Sequence, residues 1–268
     1  VLLTSVGTAL VFLAIAGSAQ ATPPAPPYED FAGCPSPTED NTVARCVKYE
    51  FPGGHLQLGS KNIPVTNTIV FRGGQQKITG AFLGNSEAGI VPVRQPVEGG
   101  LIGLTGLEWL GEVLGKDDQL RVYATVEGAG QPGVLSKLPL SLPVKVHLEN
   151  VALGSNCYIG SNENPIQLNL TDGTTSPPPP NEPISGQETG GFEEEAERPE
   201  VQRAEGGIFV DNAFSVPAAK GCQLNLGPLH INIDNLVNTS AGLPAAAGTN
   251  ETILDYSLSI VSPEVVYP

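Results

Sequence analysis

Few residues in this chain combine a chemically useful type with a useful spacing. Glu108 and Glu112 stand four apart beside Trp109, the only tryptophan. Two carboxylates next to an aromatic are the equipment of a glycoside hydrolase, which sets them on opposite sides of the scissile bond. Adjacent turns of one helix seldom supply that separation, so Trp109 is expected to anchor a helix to a sheet, with both glutamates in water. Asp117, in the loop that follows, is the third carboxylate a hydrolase on this scaffold would use. Asp117, Asp118 and Asp234 are also the acids an oxygen-rich calcium site would draw on. Neither segment has EF-hand spacing, and Asp and Asn are ordinary turn residues. No metal and no cofactor is therefore expected. His147 lies between Lys145 and Glu149 at two-residue spacing, which on a strand places all three on one face. Such a trio is either an acid–base group or a solvated face, and the second is the expectation.

Other chemistry lacks its motifs. There is no Gly-x-Ser-x-Gly elbow, and no Walker loop, dinucleotide fingerprint or His-Glu-x-x-His. Cys34, Cys46, Cys157 and Cys222 have no zinc-ligand spacing among themselves or with a histidine. Asn169, Asn238 and Asn250 begin glycosylation triplets, which matter only in a eukaryotic secretory route.

The elements that must position these residues are strands. Val47 to Phe51, Leu120 to Glu127, Val144 to Glu149, Ile166 to Leu170 and Leu254 to Ile260 alternate apolar with polar residues, the mark of half-buried antiparallel strands. Ile63 to Phe71 reads as a more buried strand. Helical spacing occurs at Leu104 to Leu114 and, interrupted by Pro244, at Leu236 to Ala247. With 32 Gly and 25 Pro to make turns, the expected class is all-β: an antiparallel sandwich- or barrel-like domain with one or two short helices.

Residues 1–21 read as an export signal, with an apolar run from Ala9 to Ala16 and the small pair Ala19 and Ala21 before the expected cleavage. The chain starts at Val1 without a methionine, so the charged start of that signal is expected to be missing. Residues 22–32 form a Pro-rich, extended leader, and residues 33–268 a single β domain. Four cysteines in an exported chain imply two disulfides, with three possible connectivities. Proximity favours Cys34–Cys46, which leaves Cys157–Cys222. Neither a lipobox nor a sortase signal is present, so no membrane anchor is expected after signal cleavage.

Within the domain, residues 174–206 stand apart. Pro177 to Pro180 favour a polyproline II rod, and the acidic tract from Glu193 to Glu200 has little to bury, so this Pro/Glu-rich insertion is expected to be disordered. A Cys157–Cys222 bridge would make it a tethered loop and not a linker between domains. Net charge is −15, with 28 acidic and 13 basic residues. That balance excludes nucleic acid, whose phosphates need clustered Lys and Arg, and disfavours anionic membrane surfaces.

The run from Leu142 to Asn150, continued through Gly154-Ser155-Asn156-Cys157-Tyr158-Ile159-Gly160-Ser161, carries a resemblance. So do Asn164-Pro165-Ile166, the stretch from Thr174 to Asn181 and Gly242 to Gly248. Together they resemble a group of secreted proteins of high-GC Gram-positive bacteria, the actinobacteria. These motifs are turns, strands and a cysteine, so the resemblance implies secretion and a bacterial envelope setting and no particular activity. The expected function is that of a secreted, non-enzymatic binding or structural β protein at or near the cell surface, of unknown partner. The alternatives are an extracellular glycosidase-like hydrolase and a carrier of a small apolar ligand.

Overall fold

The computed structural model describes residues 22–115 and 117–268, without the side chains of Asp117 and Asp118. The expected signal peptide lies outside the described residues. Strands β1 (Val43–Leu58), β2 (Lys61–Pro64), β3 (Ile69–Gln76), β4 (Phe82–Leu83), β5 (Gly89–Val91) and β6 (Arg94–Val97) come first. Three short helices follow: α1 (Gly100–Thr105), α2 (Leu110–Leu114) and α3 (Asp117–Leu120). The chain continues through β7 (Val122–Gly128), β8 (Leu140–Glu149), β9 (Tyr158–Ile159), β10 (Ile166–Leu170), β11 (Glu193–Glu194), β12 (Gln202–Asp211) and β13 (Ala219–Lys220). A hairpin of β14 (Gln223–Leu226) and β15 (Leu229–Asn232), helix α4 (Asp234–Ala241), β16 (Glu251–Val261) and α5 (Pro263–Val266) complete it.

Two antiparallel sheets face each other, as the period-two patterning predicts. The first runs β11-β12-β16-β1-β3-β4, with β2 beside β1 and β5 beside β3; the second runs β13-β9-β8-β7-β6, with β10 beside β8. Alternation decides what lies between them. Val47, Tyr49, Phe51, Phe71, Leu254 and Tyr256 come from the first sheet, and Ala124, Val126, Val144, Val146, Leu148 and Leu168 from the second, all in one buried cluster. The Phe209 and Tyr256 rings stack at 3.8 Å within it. The interior is occupied by side chains, an arrangement that does not favour the apolar-carrier alternative.

Ile63 to Phe71 is not one strand. Gln95, fully buried on the inner side of β6, accepts hydrogen bonds from the backbone N–H groups of Thr66 (2.9 Å) and Asn67 (3.0 Å) through Oε1 and donates from Nε2 to the Asn67 carbonyl (2.6 Å). A side chain from the second sheet thus satisfies a loop of the first, and the ladder breaks between β2 and β3. The expected helix from Leu104 to Leu114 is also divided, because Gly106 adopts φ +71° and ends α1. Leu110 is fully buried while Trp109 is 43% exposed, so the anchor is the leucine and not the tryptophan.

The leader is folded, not extended. A 3-10 turn at Glu29–Phe31 puts Phe31 into a second, smaller core with Cys34, Cys46, Val201, Val261 and Val266. This core lies on the outer face of the first sheet, beside the Cys34–Cys46 disulfide. Lys48, which alternation assigns to a solvated face, is buried there. Its Nζ lies 2.6 Å from Asp30 and 3.5 Å from Glu50. Arg198 pairs with Asp30 and Glu195, both at 2.7 Å, and Arg203 with Glu50 at 2.6 Å. The network ties the leader and the insertion to β1 and β12.

Segment 174–206 is correspondingly ordered, contrary to its composition. Gln187 and the β12 residue Ile208 exchange backbone hydrogen bonds of 2.9 and 2.8 Å, and Gly190 N–H donates to Glu205 at 2.8 Å. Asn181 Nδ2 donates to the carbonyls of Asn212 (3.0 Å) and Asn250 (2.8 Å). The segment buries little apolar surface, as expected. Main-chain pairing and side-chain amides hold it, and composition counts neither.

The network predicts an acid response. Burial alone would raise the Asp30 carboxyl, but hydrogen bonds from Arg198 and Lys48, with their charges, hold it below its ordinary value. A depressed folded-state value stabilises the fold above the unfolded-state value near 3.9, and that contribution is lost as pH falls through the folded value. Urea unfolding between about pH 5 and pH 2 should show a steeper loss of stability for the native chain than for Asp30→Asn. Equal slopes would contradict this assignment.

Candidate functional site

The outward face of the second sheet collects a set of polar and aromatic side chains. Residues paired across antiparallel strands share a face, and the register lines up five of them: Lys220 opposite Tyr158, Tyr158 opposite His147, His147 opposite Thr125, and Thr125 opposite Arg94. The row crosses β13, β9, β8, β7 and β6. At one interstrand spacing per step it extends about 19 Å. Glu149 and Tyr123 flank it on one side, Lys145 and Glu127 on the other.

The members from Tyr158 to Arg94 are held by neighbours. The His147 and Tyr158 rings stack at 4.3 Å and 10°. Because a carbonyl only accepts, His147 Nε2–H donates to the Ser155 carbonyl at 3.1 Å. Nδ1 then faces Glu127 Oε1 at 3.8 Å and Glu149 Oε1 at 3.9 Å. Arg94 Nε donates to Glu149 Oε2 at 2.9 Å, and Thr125 Oγ1 donates to Glu149 Oε1 at 2.7 Å. Burial pushes the Glu149 carboxyl up, but the hydrogen bonds and charge of Arg94 outweigh it, with Thr125 and His147 assisting, and the net shift is downward. Lys145 Nζ lies 5.1 Å from the Tyr158 ring centre and 3.5 Å from Glu127. Burial, followed by Glu127 and Glu149, raises the Tyr158 hydroxyl.

The stacked pair forms a ridge between two concavities. One, of about 350 Å³, has Lys145, Tyr158, Asn156, Asn164 and Lys220 in its walls. The other, of about 380 Å³, has Arg94, Tyr123, His147, Glu149 and Asn150. The Cys157–Cys222 disulfide ties together the two strands that carry Tyr158 and Lys220. Asn238 braces the outer side of β13, accepting from Ala219 N–H (2.7 Å) and donating to its carbonyl (2.9 Å). That use, together with the burial of Asn250, takes two of the three glycosylation triplets out of reach.

The residues singled out for catalysis or calcium are elsewhere. Glu108 and Glu112 are exposed on and beside the one-turn helix α2 and line neither concavity. The side chains of Asp117 and Asp118 lie outside the described residues. Asp234 Oδ1 accepts from Cys222 N–H at 2.7 Å, so it fastens the start of the hairpin. Among the described residues no group of three or more His, Cys, Asp or Glu is placed to hold a metal, and no helix is long and apolar enough to cross a membrane.

On this face Glu127 and Glu149 converge on His147, a pair that the sequence reading did not bring together. Their arrangement does not suit glycoside hydrolysis. His147 Nδ1 lies 3.8 Å from Glu127 and 3.9 Å from Glu149, in the space between the two carboxylates that a sugar would have to enter. Tyr123 and Tyr158 were also missed as site residues; their alternation gives a face but not their neighbours.

The fold and site define a disulfide-bridged β-sandwich-like protein with an aromatic and charged row across one outer face. Compared with known proteins, the chain matches no family model, no curated protein and no solved structure.

Proposed function

We propose that this chain is a secreted, non-enzymatic binding module whose recognition surface is the row from Lys220 to Arg94. The observation that carries the reading is that every ionised group at the centre of the row is engaged by a neighbour, which fixes rings and remaining donors without leaving a nucleophile or a raised acid. Preorganised polar groups around aromatic surface favour binding, since less conformational entropy is lost on contact. Two disulfides support an oxidising compartment outside the cytosol.

Amide chemical-shift mapping against a panel of extracellular polysaccharides, peptides and small metabolites tests this. A ligand should shift Tyr123, His147 and Tyr158 together. A ligand whose shifts cluster on another face overturns the location. Turnover of the bound polymer, abolished by Glu149→Gln, overturns the non-enzymatic reading.

A further inference from the structure

We propose that the ligand of this row is a charge-neutral, polyhydroxylated chain, an uncharged polysaccharide lying across the strands from Lys220 to Arg94. This rests on the reading of the row as a recognition surface and adds the class of ligand.

Charge is the first argument. On and beside the row, Lys220, Lys145, Arg94 and Arg121 stand against Glu127, Glu149 and Glu163, one cation in excess. The face is close to neutral on a chain of net charge −15. An anionic polymer would meet repulsion from the rest of the surface and little net attraction here. A cationic polymer would be drawn first to the concavity of about 390 Å³ on the other sheet, where Glu193, Glu194, Glu195 and Glu205 outnumber the single cation, Arg203. A ligand without net charge is one that this face is suited to hold.

Chemistry is the second. Sugar hydroxyls both donate and accept, and need both kinds of partner at short intervals. The concavity beside Tyr158 offers the amides of Asn156, Asn162 and Asn164 with the ammonium of Lys220. The concavity beside His147 offers Asn150, Glu149 and Arg94. Between them the Tyr158 and His147 rings stand stacked on each other at 4.3 Å, and the ridge they form gives the two sets of polar partners a common wall. A peptide strand would want an unpaired sheet edge, or deep apolar pockets for alternate side chains. The middle of a five-strand face has no edge to add to. The row's length, about 19 Å, matches an extended polymer and not a single small molecule.

Affinity electrophoresis and calorimetry of the full chain against dextran, laminarin and xylan as neutral probes, polygalacturonate as the anionic probe and chitosan as the cationic one test the proposal. At least one neutral polymer should bind, with an affinity that changes little between low and high ionic strength. Tyr158→Ala should weaken it at least about tenfold, because it removes the wall shared by the two concavities and the stacking partner of His147, and Tyr158→Phe should retain it. Tyr123→Ala supplies the same test should Tyr158→Ala fail to fold. Salt-sensitive binding confined to polygalacturonate or chitosan overturns the proposal, as does neutral binding indifferent to Tyr158→Ala and Tyr123→Ala. If no polysaccharide binds but another ligand shifts Tyr123, His147 and Tyr158, the glycan assignment fails and the recognition surface stands. If every ligand maps elsewhere, both fail.

Discussion

Replacing Cys157 and Cys222 together by alanine should lower the folding free energy by about 4 kcal/mol, by the loop-closure entropy of a bridge of this span. The two residues are 65 apart in sequence, so the open chain gains far more freedom than it would from loss of the 12-residue Cys34–Cys46 closure. Alanine is preferred to serine because both sulfurs are fully buried, and a hydroxyl there would add its own desolvation cost. Urea denaturation of the native and doubly substituted chains measures the difference. The same substitution should loosen the binding face, since β13 is a two-residue strand held to β9 by two register pairs and this bridge. Amide exchange at Tyr158 and Lys220 should quicken while the β1–β16 ladder stays protected. A loss below about 1 kcal/mol would place the bridge outside the loop-entropy account.

Phe31→Ala is the second large effect, at about 3–5 kcal/mol for truncating a fully buried phenylalanine. Phe31 packs with the Cys34–Cys46 bridge, Val201 and Val266 in a core separate from the one between the sheets. The damage should therefore be regional. Limited proteolysis should cut near residues 22–40 in the variant and spare them in the native chain, with the second sheet's amide spectrum unchanged. Ala25, whose N–H donates to the Val266 carbonyl at 2.8 Å, should lose that protection as well. If the variant is as stable and as resistant as the native chain, residues 22–32 behave as the extended leader their composition suggests.

That contrast shows where composition misleads. Prolines between Thr22 and Ala32 speak for an extended segment, yet one phenylalanine and one aspartate dock it, Phe31 into a pocket and Asp30 onto Lys48 and Arg198. In residues 174–206 the same counting predicts disorder because too little apolar surface is available. The main chain beside β12, the Asn181 amide and the Arg198 guanidinium do the holding, and all three need partners distant in sequence. Trp109 was the obvious helix anchor by size, and its neighbour Leu110 took the place because Gly106 ends α1 early and turns the tryptophan outward.

Local periodicity determined a good deal by itself. Alternation at Tyr49, Ala124, Val146, Leu168 and Tyr256 assigns each an inward face, since side chains on a strand change sides at every residue. Gly and Pro content implied turns, and the spacing of the four cysteines favoured the two bridges that the structure contains. What periodicity cannot supply is the neighbour across the ladder. It assigns His147, Lys145 and Glu149 to one face but is silent on which strand lies beside them, because register depends on contacts between segments far apart in the chain. Lys220, Tyr158, His147, Thr125 and Arg94 come from five strands laid side by side in reverse chain order, but alternation within each strand does not say which residue of one meets which of the next. Tertiary structure alone set them in a row, by pairing β13 with β9 and β8 with β7 over a filled core.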